Sequence, residues 1–369
     1  MRNLASMARE SRTRAGSASS LAGDSSKAER DALIPTGYSA DRLVVLDKPF
    51  CRLLHLVPAA AGGPPLLIVS PLSAHRLGLL HDLIAALIPH HDVYVIEWRN
   101  ARDVPVAEGP FGLDENIAYI VEILQALGPE THVLALSQSP VPAIAAAALM
   151  AEADDPAQPL SLTLISGFID PRVNPRRFDL LVSGTPMSVF SRTVTDRVPA
   201  GFGGEGRYIY PDRVQRGALL AYLARHIAQR GELYAKLLFD DGVDPLGHPF
   251  FVSYLDLIDL PGEIYVDTME RVLQHCELPR GRMIWRGRPV RPAAITRTAL
   301  MTIEGECDDV SAVGQTYAAH ALCPNVPTIR RAYHRQTGVG HFGTFHGSAW
   351  RRTIAPRITG FVRAFAAHR

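Results

Sequence analysis

Three side-chain types that together cleave acyl bonds occur here in a workable order: Ser137, then Asp308 and Asp309, then His341. A serine hydroxyl attacks a carbonyl when a base takes its proton, and a histidine serves best when a carboxylate fixes its tautomer. Ser137 lies in Ala-Leu-Ser-Gln-Ser, Ala135–Ser139, between the apolar run Thr131–Ser137 and an Ala-rich stretch at Pro142–Met150. A nucleophile on a tight strand-to-helix turn needs small residues two positions to either side, because its backbone is strained there. Glycine usually fills those places; Ala135 and Ser139 are small enough. Pro140 suits the first turn of the next helix, where its missing N–H costs nothing. Such a turn aims the Gln138 backbone N–H at a developing oxyanion. The ordinary alternative is a helix-capping serine, a role that fits Ser139 better than Ser137.

In this architecture the acid and base follow the serine in chain order. Gly-Glu-Cys-Asp-Asp, Gly305–Asp309, lies just beyond the late strand Thr298–Glu304, a suitable place for an acid. Asp308 is preferred and Asp309 is the alternative, since either one could instead cap the following helix. His341 sits in the glycine-rich Gly338–Gly343, away from any periodic segment where a core histidine would be expected. The second oxyanion donor is expected from Ser70–His75, with the Leu72 N–H first choice and Ser73 next. Ser73 and His75 are also candidates for substrate contact, and His75 serves equally well as a residue that holds the loop.

Strands and helices must carry these loops. Leu66–Ser70, Asp92–Trp98, Thr131–Ser137, Ser161–Ile169 and Thr298–Glu306 read as buried strands, with a further short one near Thr328–Tyr333. Helical spacing appears at Leu77–Ile88, Glu115–Leu127, Pro142–Met150, Ala312–Ala321 and Trp350–Ala366. This alternation predicts an α/β fold, a mostly parallel central sheet with helices on both faces. The rhythm changes after Asp170, where helical stretches such as Ala218–His226 and Ile264–Leu273 stand among Pro, Gly and aromatics. The expected organisation is a leader over residues 1–35, a core over 36–170, a mostly helical cap over 171–290, and the rest of the core over 291–369. Cap aromatics Phe190, Phe202, Tyr208, Tyr210, Phe250, Phe251 and Tyr254 either line a substrate route or pack the cap onto the core.

The 38 basic and 37 acidic residues leave a formal charge of +1, which gives no reason to expect nucleic acid as a partner. Four scattered cysteines without a CxxC pair point to reduced thiols, neither a disulfide framework nor a zinc site. No apolar run is long enough for a transmembrane helix, and the first residues lack the apolar core of a secretion signal, so the expected location is cytoplasmic.

Several longer stretches are more specific. Asp47–Leu56, Val69–His75, His91–Pro105, Gly167–Pro175, Glu304–His320 and Gly340–Arg351 make the sequence resemble the intracellular polyhydroxyalkanoate depolymerases, which degrade stored poly(3-hydroxybutyrate) granules. The resemblance spans about Val44 to Ala367. It implies an α/β-hydrolase fold with a cap and a carboxylic ester hydrolase that attacks a polyester carbonyl. The partners it implies are the polyester or its oligomers and the granule surface. In that family the nucleophile is usually a cysteine in Val-Cys-Gln-Pro; Ser137 matches it here, and Ser139 stands where the proline would be. The matching acid is Asp308 or Asp309, and the matching base is His341. Ester cleavage through a serine acyl-enzyme calls for no metal or organic cofactor. The alternatives are an esterase acting on soluble hydroxybutyrate oligomers, a non-catalytic granule protein that has kept the fold, and transfer to an acceptor other than water. Oligomeric state is left open, with homo-oligomerisation through the cap surface as one alternative.

Overall fold

The short, buried apolar segments form the centre of one eight-stranded sheet in the computed structural model, which describes residues 41–57, 63–73, 79–222, 224 and 257–366. Its strands are β1 (Asp41–Asp47), β2 (Cys51–Val57), β3 (Pro65–Val69), β4 (Asp92–Trp98), β5 (His132–Leu136), β6 (Ser161–Ile165), β7 (Ala299–Gly305) and β8 (Arg331–Gln336). They lie in the order β1-β2-β4-β3-β5-β6-β7-β8. From β4 to β8 every pairing is parallel, while β1–β2 and β2–β4 are antiparallel. All five residues of β5 and of β6 are buried, as expected of strands covered on both faces.

The four main helices follow from the same logic. They are α1 (His81–Leu87), α2 (Leu113–Leu127), α3 (Pro140–Glu152) and α4 (Ala355–Phe365). On one face, α2 and α3 pack over Val69, Val133, Ala135 and Leu164. On the other, α1 and α4 pack over Ile68, Leu134, Leu136 and Ile303, with Trp350 fully buried among them. Helix α3 is buried from Pro140 through Met150, which explains its alanines: large side chains would hold neighbours away from the sheet.

Segment 171–290 combines short helices with small antiparallel ribbons. Among the described residues the helices are Arg177–Gly184, Met187–Thr193, 212–222 and Gly262–Asp267, the last continuing in π form over Thr268–Gln274. Asp196–Arg197, Tyr208–Tyr210 and Leu260–Pro261 form a three-stranded ribbon, and Ile284–Trp285 pairs with Arg288–Pro289. Arg207, almost fully buried, binds this segment to the chain after β4. Its guanidinium donates to the carbonyls of Val104, Gly109 and Pro105.

Some expectations shift. The helix expected over Ala312–Ala321 is mostly a series of turns, with only Ala319–Leu322 helical. Here the buried Glu304 carboxylate takes the N–H groups of Gly314, Thr316 and Tyr317, offering the backbone an alternative to helical bonding. The late strand begins at Arg331, three residues beyond the expected Thr328, which instead starts a 3-10 turn. Helix Ala218–His226 is seen as far as residue 222. The leader, His75, Phe250, Phe251 and Tyr254 lie outside the described residues.

Candidate active site

Each candidate side chain hangs from the C-terminal end of a parallel strand. Ser137 follows β5, Asp308 follows β7, His341 follows β8 and Leu72 follows β3. These strand ends lie on one edge of the sheet, where α/β folds generally place their chemistry.

Ser137 turns sharply between β5 and α3, with φ at +54°, a left-handed conformation that side-chain-bearing residues rarely adopt. Its N–H bonds the Ile165 carbonyl of β6 at 2.9 Å, and the Ser139 N–H returns to Leu136 O at 2.9 Å. Packing of α3 and these two bonds pay for the strain. The result lifts Oγ out of the sheet, and it lies 3.0 Å from His341 Nε2.

His341 is 4% exposed. Its Nδ1 lies 2.9 Å from Asp308 Oδ2. A carboxylate only accepts, so this contact assigns the proton to Nδ1 and leaves Nε2 to accept from the serine hydroxyl. Asp308 is fully buried, and its Oδ1 accepts from the backbone N–H groups of Val310 (2.9 Å) and Ser311 (2.8 Å). The neighbouring Asp309 points elsewhere and accepts the Tyr222 hydroxyl at 2.6 Å. The acid facing the histidine is therefore Asp308, the preferred of the two.

Gly305 explains how His341 reaches that acid. A Cβ at Gly305 would lie 2.9 Å from both the Gly340 and Val339 carbonyl oxygens, so only glycine lets the 338–341 loop pass. Cys307 N–H then bonds Val339 O at 2.9 Å. The Phe342 and Phe345 rings stand edge-on to the imidazole at 5.4 and 5.9 Å. Beyond them, Leu219 of helix 212–222 joins the same apolar cluster.

The expected oxyanion donors come close together. Gln138 directly follows Ser137, and Leu72 and Gln138 line one small cavity. Among the described residues, neither backbone N–H has a hydrogen-bond acceptor. Ser73 is half-buried with no described polar contact. Ser139 stands at the head of α3 but does not cap it. Its hydroxyl donates instead to Ser70 O at 2.8 Å, tying the serine turn to the loop that carries Leu72. Trp98 Nε1 donates to the same carbonyl at 3.0 Å, and the Ser70 hydroxyl bonds Ile96 O. Local spacing offers no sign of this bracket, because its members come from three separate segments of the chain, the last of them strand β4.

The described cap aromatics divide between packing and exposure. Tyr210 stacks on Tyr265 at 4.0 Å, Tyr208 donates to Ser191 O and lies over Gly262, and Phe190 packs on the core. Phe202 is exposed, with the Arg102 guanidinium 5.3 Å above its ring. Among the described residues, no three His, Cys, Asp or Glu side chains converge to hold a metal ion, and no helix is long and apolar enough to cross a membrane.

The family described as PHB de-polymerase C-terminus matches residues 166–366, more than half of the 369-residue chain. The chain belongs to the PHB depolymerase family. It is accordingly a carboxylic ester hydrolase. The matched segment contains Asp308 and His341 and begins after Ser137. Among solved structures, the chain is similar to a soluble variant of monoglyceride lipase from Saccharomyces cerevisiae. That likeness has a TM-score of 0.53 at 8% identity and covers 89% of this chain and 96% of that one. It is also similar to naproxen esterase (carboxylesterase NP) from Bacillus subtilis, with a TM-score of 0.49 at 14% identity, covering 90% of this chain and 94% of that one. At such low identity the lipase likeness speaks for the fold alone, and that fold is the expected α/β-hydrolase. No curated protein matches the sequence.

Proposed function

We propose that this PHB depolymerase family member hydrolyses the ester bonds of intracellular short-chain polyhydroxyalkanoate, foremost poly(3-hydroxybutyrate), through an acyl-enzyme on Ser137. The observation that carries this reading is the relay itself: Ser137 Oγ 3.0 Å from His341 Nε2, and His341 Nδ1 2.9 Å from Asp308. Ser137 Oγ attacks the ester carbonyl while His341 Nε2 takes its proton. The new C–O bond leaves negative charge on the carbonyl oxygen, which the Gln138 and Leu72 N–H groups receive. On collapse, His341 returns the proton to the departing alkoxide and the alcohol end of the chain leaves. A water then gives its proton to His341 and attacks the acyl-enzyme. His341 reprotonates Ser137, and the 3-hydroxyacid monomer or oligomer is released. Asp308 stays ionised and holds the imidazole, stabilising the imidazolium that forms twice per cycle.

Serine in place of the family's usual cysteine fits this arrangement. A serine hydroxyl is a weak nucleophile until a base removes its proton, so its use demands a close, oriented histidine. The site acts in the cytoplasm, at the surface of the storage granule or on chains released from it. The test is release of 3-hydroxybutyrate from amorphous poly(3-hydroxybutyrate) by the wild type beside Ser137→Ala. Release by the wild type alone is expected. Cleavage confined to dissolved hydroxybutyrate oligomers would move the substrate from polymer to oligomer, and equal release by both proteins would sink the serine mechanism.

A further inference from the structure

Helix α2 buries Leu113, Ile117, Ile120, Ile123 and Leu124, an apolar stripe at helical spacing. Asn116 interrupts that stripe. It is 2% exposed, its Oδ1 is buried without a hydrogen-bond partner, and its amide nitrogen has none among the described residues. A buried amide left unpaired is costly, so its place in a core stripe calls for a reason.

The reason lies in what Asn116 faces. It lines a small, largely enclosed cavity together with Leu72, Gln138, Ser139 and Thr268, closed by apolar side chains such as Phe168. Gln138, which lines the same cavity, also has a buried side-chain oxygen, Oε1, without a partner. Thr268 Oγ donates to Ile264 O at 2.7 Å and keeps lone pairs to accept with. Room for water centres amounts to about 10 Å³, near the roughly 10–15 Å³ that one water needs, alongside two to four polar partners.

We propose that Asn116 is a positioning residue for ester hydrolysis: it holds one buried water against the Gln138 side chain, and this water fixes the turn that presents the Gln138 N–H to the oxyanion. This inference rests on the serine acyl-enzyme reading, since it assigns Asn116 to the same turn. The arrangement satisfies both orphaned amide oxygens with a single donor of two protons.

Asn116→Leu is nearly isosteric and removes the amide. A merely structural Asn116 would change stability alone and leave the rate of the folded enzyme unaltered. The expected result on a short soluble ester, measured well below Tm, is a fall in kcat of about tenfold or more with KM changed by less than about twofold. Asn116→Ser, which keeps a hydroxyl and leaves room for a second water, should recover part of the rate. Combining Asn116→Leu with Gln138→Met should cost no more than the larger single effect, because both break one bridge. A crystal structure of the wild type should show an ordered water within hydrogen-bonding distance of both amides. Unchanged kcat in Asn116→Leu, a kcat loss that only tracks a lower Tm, or a dry cavity in the crystal would each overturn the proposal. Absence of any ester hydrolysis by the wild type would instead fail the hydrolase reading, while the crystallographic outcome would still decide the water site.

Discussion

Two aspartates stand side by side after β7, and their surroundings give them different work. Asp308 is fully buried, takes two backbone N–H groups on one oxygen and faces His341 with the other. Asp309 binds the Tyr222 hydroxyl. Asp308→Asn keeps the shape but removes the charge that orients and stabilises the imidazolium, so kcat should fall by roughly 10³–10⁴-fold. Asp309→Asn should stay within a few-fold of wild type; steady-state kinetics of both variants on a short soluble ester will show the contrast, and equal losses would contradict the division. Serine, acids and histidine were all legible in the sequence, because each stands in a loop with its own local pattern. The choice between the acids was not, since adjacent residues share their local composition and differ only in distant partners. Ser139 shows the same limit: its spacing suggests a cap, while its partner, Ser70 O, lies 69 residues away in the chain.

At the scale of elements, the site depends on close passage of backbones. Gly305 is where the end of β7 meets the loop bearing His341, with no room for a methyl group. Gly305→Ala should cost about 1–3 kcal/mol of stability by overpacking and lower kcat through displacement of His341. Thermal melting and kinetics together check this, and a variant with normal Tm and normal kcat would show that the loop yields freely. The buried strands β3 to β7 were legible because their runs are apolar and bounded by turn residues. Strands β1 and β2 were not singled out: β1 pairs on only one side and leaves Leu43, Val44 and Val45 about half exposed, so no burial pattern marks it. The turns over residues 312–318 read as helix because the Glu304 cradle that replaces helical bonding is a tertiary feature.

Across the whole molecule, three buried histidines, His91, His132 and His320, are held near pKa 4 by burial and so weaken the fold in acid. His91 and His132 are fully buried, and burial holds both near pKa 4, with mutual repulsion adding to the effect on His91. His91 Nε2 bonds the Thr359 hydroxyl at 3.1 Å and His132 Nδ1 the Ser161 hydroxyl at 2.7 Å, which joins the N-terminal side of the sheet to α4 and β6. Both are neutral in the folded state at pH 7, whereas the unfolded chain takes up protons near pH 6.5. The stabilisation is complete above that pH and is lost as pH falls from about 6.5 towards 4, by at most about 3 kcal/mol for each histidine. Urea denaturation at pH 7.5 and pH 5 should show this loss, and replacing His132 with an apolar residue should reduce it; a stability independent of pH over that range would contradict the assignment. Family membership and the α/β-hydrolase fold were legible from separated stretches of the sequence. The order of the strands and the partners of the buried histidines emerge only when the sheet is assembled.

The most direct test of the account is covalent capture of the nucleophile. The protein would be treated with a fluorophosphonate, which phosphonylates an activated serine in a hydrolase, and the adduct located by peptide mass mapping. The account predicts one equivalent of label on Ser137, loss of ester hydrolysis in proportion to labelling, and no adduct in Ser137→Ala. Label on a different residue, or full activity in a protein stoichiometrically modified at Ser137, would contradict it.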